Sequence, residues 1–136
     1  MSVFEGIRGL VGRAIMQVIT RPSRAYEPFI PSDPAALRRS LQPADVLLIE
    51  GNQRMSTVIK YLTQSTWSHA TLFVGDALAT KTREAGSAML IEVDLSAGCV
   101  AVPLEKYAQY TTRICRPIGL TDDDRRRVVD FMVARL

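Results

Sequence analysis

Histidine and cysteine are scarce in this sequence of 136 residues, which has one histidine, His69, and two cysteines, Cys99 and Cys115. The cysteines form no CxxC pair, and one histidine cannot complete a Cys/His zinc centre with them, so we expect no metal site. Two cysteines in a chain of this length also argue against a disulfide scaffold. Nothing else in the sequence points to a cofactor, and none is expected.

Long apolar runs are also missing, since no stretch approaches the roughly 20 apolar residues that a transmembrane helix needs. Glu5, Arg8, Arg13 and Gln17 interrupt the apolar residues near the N-terminus, so this segment does not resemble a signal peptide. We therefore expect a cytoplasmic or peripheral membrane protein. The net charge of +3 is mild, and basic and aromatic residues are not interleaved, so no nucleic-acid partner is expected.

Residues 1–20 have an amphipathic pattern. Apolar residues recur there at helical spacing, with arginine and glutamate elsewhere, so the pattern predicts an N-terminal helix. Such a helix could bind an anionic membrane surface or pack on the domain's own core, and the sequence leaves both open. Residues 21–44 form a proline-rich connector, in which Asp33 caps a short helix that begins at Pro34.

Residues 45–136 have the pattern of a folded core. We expect an α+β domain in which helices pack on a central, mostly antiparallel sheet of about five strands. The last helix is capped by Thr121 and has no C-terminal signal before Leu136. The pattern predicts strands over residues 46–49, 70–74, 88–93, 99–102 and 111–116, and further helices over residues 54–63 and 103–110.

His69 opens the second predicted strand, directly after a polar loop. A histidine at the mouth of a strand can be a general base, or it can simply be hydrogen-bonded at the strand end. Glu92 lies in the third strand within an otherwise apolar run, and a buried carboxylate needs a partner. If the two strands are antiparallel neighbours, the imidazole is a natural partner for an acid that orients it. The alternative is that Glu92 faces water.

A nucleophile for such a pair is harder to find. Cys115 is flanked at close range by Arg113 and Arg116, and cationic neighbours favour a thiolate. However, Cys115 falls inside a predicted strand rather than at a helix start, so a structural thiol is the competing interpretation. Cys99 is expected to be a small core residue.

Three segments, Asp45–Leu48, Trp67–Asp76 and Leu90–Val93, together resemble the permuted papain-like NlpC/P60 superfamily. The YiiX/YebB-like, "lipo-like" branch is the most similar, and lecithin:retinol acyltransferase-like proteins are more distant. The resemblance covers residues 43–118. It implies a strand that begins Gly-Asp, a Ser-His strand, a strand with a third polar residue and a cysteine at the start of a later helix.

The resemblance implies a cysteine hydrolase, in which a thiolate attacks an amide or ester carbonyl of a peptide-like or lipid substrate. His69 would be the base and Glu92 the third polar member of the site. Asp45, Trp67 and Ser68 would lie at binding positions.

Two departures from the family pattern affect this expectation. Ala44 replaces the usual glycine before Asp45, and no cysteine follows Cys115 where the family has its nucleophile. We therefore expect a core that ends before the nucleophile-bearing helix and is inactive in this form, or else Cys115 as the nucleophile. The competing class is a non-catalytic module that binds a lipid or a partner on the same fold.

Overall fold

The structure is a computed structural model that describes residues 32–52, 54–78 and 88–136. The helix predicted over residues 1–20 and the first part of the connector, residues 21–31, lie outside the described residues. No helix in the described part of the chain is long and apolar enough to cross a membrane.

The described residues form three α-helices, five strands and two short 3-10 helices, and all five predicted strands are among them. The prediction of a helix over residues 103–110 was wrong in length, since the helical residues are only Leu104–Tyr107 and form a 3-10 helix. In chain order the elements are α1 (Pro34–Ser40), β1 (Val46–Ile49), α2 (Arg54–Thr63), β2 (His69–Phe73), a 3-10 helix (Gly75–Leu78), β3 (Ala88–Asp94), β4 (Gly98–Pro103), a second 3-10 helix (Leu104–Tyr107), β5 (Thr112–Cys115) and α3 (Asp122–Val133).

The chain divides into two compact units. Met1–Glu27 and Glu50–Ser68 form the small unit, whose described part contains α2. Pro28–Ile49 and His69–Leu136 form the sheet unit, which contains every strand described here together with α1 and α3.

The strands of the sheet unit form one antiparallel sheet in the order β4-β3-β2-β1-β5. Val46 of β1 pairs with Leu72 on one side and with Cys115 on the other. Leu72 in turn pairs with Ile91. The α+β class and the five-stranded antiparallel sheet that the sequence predicted are therefore confirmed.

Both faces of the sheet are covered, because apolar side chains alternate along each strand and each set packs on different elements. On the first face the second 3-10 helix covers the sheet, and the buried residues are Leu41, Leu47, Ile49, Phe73, Met89, Leu90, Val102, Leu104 and Tyr107, with Leu37 of α1 packed against them. On the second face α3 covers the sheet, and the buried residues are Ala44, Val74, Leu78, Ile91, Val129 and Val133.

The helices of the sheet unit begin as their sequences predict. The carboxylate of Asp33 accepts a hydrogen bond from the Ala35 N–H at 2.9 Å, and Thr121 forms a capping box with Asp124. At the other end, α3 stops at Val133 and the Ala134 N–H donates to the Asp130 carbonyl at 3.0 Å. The helix thus ends before Leu136, which its apolar pattern did not predict.

Ala44 has a backbone conformation that favours glycine. Its φ is +70°, in the left-handed region, where a side chain costs about 1–2 kcal/mol relative to glycine. The chain accepts this conformation because the Ala44 N–H donates to the Phe73 carbonyl at 2.9 Å, and the Phe73 N–H donates to the Asp45 carbonyl at 2.9 Å. These bonds hold the entry to β1 against the end of β2.

Candidate active site

His69 and Glu92 reach the same face of the sheet through the pairing of β2 with β3. Leu72 pairs with Ile91 and Phe73 with Leu90. Extending that register by one step places Thr71 opposite Glu92, with His69 diagonal to it on the same face. Diagonal neighbours of this kind lie within reach of long side chains.

The imidazole and the carboxylate are in contact. His69 Nε2 lies 3.2 Å from Glu92 Oε2. The Glu92 side chain is only 3% exposed, whereas that of His69 is 34% exposed. The structure therefore brings together the two residues that the sequence paired, while their catalytic roles stay predictions.

Two further groups hold the same carboxylate, and together with His69 and Glu92 they form the Glu92 cluster. Lys106 Nζ donates to Glu92 Oε1, and the Tyr107 hydroxyl donates to Glu92 Oε2. Both come from the second 3-10 helix, whose tight turn directs consecutive side chains to one carboxylate. Tyr107 is buried, and its ring packs edge-on against Tyr110 with centroids 5.9 Å apart.

Lys106 and Tyr107 were not predicted as site residues from the sequence. Both fall in the segment predicted as an ordinary helix, and neither belongs to a recognisable motif. The signal that pointed toward them was the buried carboxylate itself, because an acid placed in an apolar run requires donors from elsewhere in the chain.

The protonation states in the cluster follow from these contacts. Burial raises the pKa of Glu92, but the hydrogen bonds from His69, Lys106 and Tyr107 outweigh it and bring the pKa to about 2. Burial, and then the hydrogen bond to Glu92, raises the pKa of Tyr107 far above its usual value. At neutral pH Glu92 is therefore an anion and Tyr107 a neutral donor.

An ionised Glu92 fixes the tautomer of His69. A carboxylate can only accept hydrogen bonds, so Nε2 must carry a hydrogen and donate it. Neutral His69 then has its lone pair on Nδ1, and among the described residues no hydrogen bond to Nδ1 is present. The ring, which is 34% exposed, is thus held through Nε2, and Nδ1 is left without a hydrogen bond to the described residues.

Thr71 adds an unusual feature beside this pair. Its side chain is 3% exposed, and its hydroxyl has no hydrogen-bond partner among the residues that the structure describes. A buried hydroxyl without a partner is destabilising, so this group beside the His69–Glu92 pair is a feature that the fold alone does not explain.

The structure does not bring either cysteine to His69. Cys115 shares a row with Val46 and Leu72, and Leu72 packs on the second face of the sheet, opposite the face of His69. The row of Cys115 also lies three register positions from the row of His69, which is about 10 Å along the strands. Cys99 packs against the core beneath α3 on that second face. Neither thiol can approach the imidazole while the sheet is intact.

Asp45, predicted at a binding position, is instead fully buried and occupied by the protein's own donors. Arg116 donates from Nη2 to Oδ2 at 2.7 Å and from Nε to Oδ1 at 3.0 Å, and the Gln42 N–H donates at 2.8 Å. Arg125 lies 3.8 Å away. Burial raises the pKa of Asp45, but these donors and charges together lower it below the usual value. These four residues form the Asp45 cluster, and the binding role of Asp45 stays a prediction.

Trp67 and Ser68, also predicted at binding positions, belong to the small unit. The Ser68 hydroxyl accepts a hydrogen bond from the Gly51 N–H at 3.0 Å. A Cβ on Gly51 would lie 2.7 Å from that hydroxyl, so glycine is needed for the close approach. Trp67 is half-buried, and its backbone N–H donates to the Ser65 hydroxyl at 3.2 Å. Within their own unit both residues organise the loop after α2.

Within the described ranges no group of three or more His, Cys, Asp or Glu side chains is placed to hold a metal ion. Comparisons with protein-family models, with curated proteins and with solved structures found no match for this chain. Function must therefore be inferred from the chemistry of the Glu92 cluster itself.

Proposed function

We propose that this chain is a hydrolase-like domain of the permuted papain-like NlpC/P60 type, in which His69 is the general base and Glu92 orients it. The reaction is attack on an amide or ester carbonyl of a peptide-like or lipid substrate. The observation that carries the proposal is the hydrogen bond from His69 Nε2 to the buried Glu92 carboxylate, because it leaves the lone pair of the neutral, partly exposed ring on Nδ1.

The geometry supports a simple sequence of proton transfers. Nδ1 of His69 takes the proton of a thiol, and the thiolate sulfur forms a bond with the carbonyl carbon. The imidazolium that results is stabilised by the charge of Glu92. It then returns the proton to the nitrogen or oxygen of the leaving group as the carbonyl bond to that group breaks. Lys106 and Tyr107 keep Glu92 ionised and fixed throughout.

The thiol must come from a group other than Cys99 and Cys115, since both lie on the second face of the sheet. This requirement makes a direct test possible, in which a small thiol replaces the missing nucleophile. With 4-nitrophenyl acetate and 2-mercaptoethanol, we expect the protein to accelerate transfer of the acetyl group to the thiol at least about tenfold over the His69→Ala variant.

The matched control is the Cys99→Ser/Cys115→Ser double variant, which should keep the full acceleration. Loss of the acceleration in this control would instead identify one of the protein's own thiols as the nucleophile. A wild-type rate equal to that of His69→Ala would rule out the general-base assignment.

A second candidate is a non-catalytic binding module on the same fold. The placement of both cysteines away from His69 favours it. If the chain is such a module, the wild type and His69→Ala should give the same rate of acetyl transfer to 2-mercaptoethanol.

Iodoacetamide labelling tests the remaining option, in which Cys115 is the nucleophile and His69 activates it. We expect Cys115 to be labelled at the same rate in the wild type and in His69→Ala, with the sites mapped by mass spectrometry. Labelling that slows more than tenfold in the variant would contradict the placement of Cys115 on the second face.

A further inference from the structure

The exposed face of α2 is the feature of the small unit that folding leaves unexplained. Val58, Tyr61 and Leu62 follow helical spacing of three and four residues, so they lie side by side on one face. They are 52%, 75% and 73% exposed, respectively. The opposite side contains Ser56, which is buried. This short helix therefore presents an apolar face to the outside, while Met55 and Ile59 beside that face are half-buried.

Charge distinguishes the small unit from the rest of the chain. Its segments contain six Arg or Lys residues and three Asp or Glu residues, whereas the sheet unit contains eleven of each. The whole net charge of +3 thus belongs to the unit that has the apolar face. Residues 54–63 themselves contain no acidic residue, and Glu50 nearby is neutralised by Lys60 at 3.0 Å.

We propose that the Val58–Tyr61–Leu62 face docks on a lipid bilayer that contains anionic lipid. A helix with an apolar face and basic surroundings lies in the plane of such a surface, with its apolar side chains among the acyl chains. Tyr61 suits this boundary because its ring is apolar and its hydroxyl is polar. Anionic headgroups attract a unit of net positive charge, and they would repel an acidic one. The docking does not depend on His69 or on any catalytic activity.

The test is co-sedimentation of the full chain with two kinds of vesicle, phosphatidylcholine alone and phosphatidylcholine mixed with phosphatidylglycerol. We expect binding to the mixed vesicles that weakens at high salt. The Tyr61→Ser/Leu62→Ser variant should reduce the partition coefficient at least about tenfold, because two large apolar side chains no longer enter the bilayer.

The matched control is Leu95→Ser/Ile118→Ser, which removes two aliphatic side chains of the sheet unit that are 66% and 99% exposed. It should bind like the wild type. Emission of Trp67, the only tryptophan, reports in buffer whether the small unit of each variant is folded. Both altered pairs are highly exposed, so folding should be unaffected.

Three results would overturn the proposal. The first is a wild-type chain that does not bind the mixed vesicles, and the second is a Tyr61→Ser/Leu62→Ser variant that binds as well as the wild type. The third is a wild-type dimer in sedimentation equilibrium that this variant converts to monomer, since a second copy of the chain would then cover the face.

Discussion

The sheet unit contains two buried carboxylates, Asp45 and Glu92, and their partners differ in kind. Asp45 is surrounded by two guanidinium groups and a backbone N–H, none of which changes its protonation in the range where proteins are folded. Glu92 is surrounded by an imidazole, an amine and a phenol. The first arrangement holds the carboxylate between permanently charged groups, whereas the second includes the imidazole on which the proposed chemistry depends.

The largest expected effect on stability is that of replacing Asp45. Asp45→Asn removes the charge that compensates Arg125, whose side chain is 17% exposed, and it breaks the fork with Arg116. Breaking a fully buried ion pair costs about 3–5 kcal/mol. Because Arg116 is 40% exposed and can be solvated by water in the variant, the free energy of unfolding should fall by about 3 kcal/mol, the lower end of this range. Urea denaturation measures it. A loss below about 1 kcal/mol would show that Asp45 does not anchor the fold.

Acid should act next most strongly, through Glu92. Its pKa is about 2 in the folded chain and 4.5 ordinarily, so its contribution is complete above pH 4.5 and is lost as the pH falls toward 2. The stability lost over this interval should be up to about 3 kcal/mol. The comparison is urea denaturation of the wild type and of Glu92→Gln at several pH values. If the wild type and Glu92→Gln show the same pH dependence of stability, the loss of stability in acid comes from groups other than Glu92.

Lys106→Met should have a smaller effect on stability. The substitution removes one of the three donors to Glu92, whose side chain is 3% exposed, while His69 and Tyr107 still hydrogen-bond the carboxylate. The free energy of unfolding should therefore fall by about 2 kcal/mol. Arg38→Met is the matched control, because Arg38 lies 3.8 Å from Glu105 and both side chains are about half-exposed. The control should be neutral, and equal losses in the two variants would remove the distinction between these pairs.

Thr71→Val should have the smallest effect, of opposite sign. The hydroxyl of Thr71 is buried without a partner among the described residues, so an isosteric methyl group should stabilise the fold by up to about 1 kcal/mol. Thr71→Ser keeps the hydroxyl, loses a buried methyl group and should destabilise by about the same amount. Thermal unfolding of both variants is the measurement. Destabilisation by Thr71→Val would mean that the hydroxyl is hydrogen-bonded in solution.

The two carboxylates also show what a sequence can predict. The proximity of His69 and Glu92 followed from the alternation of side chains along two strands that are neighbours in sequence. Local patterns could not predict that Asp45 meets Arg116, because the two residues are 71 positions apart. They also could not place Cys115, since its face and distance from the histidine depend on the pairing of β5 with β1. Turn and cap chemistry, in contrast, is local, which is why Asp33 and Thr121 were assigned correctly.

The ladder between β1 and β5 has a consequence for the chain as it is being made. At about 5–20 residues per second, the 71 positions between Asp45 and Arg116 correspond to roughly 4–14 seconds of synthesis. During that interval β1 lacks its partner on one side, and its unpaired backbone is open to pairing with another chain. This edge of β1 is therefore closed only late in synthesis, after the other described strands have been made.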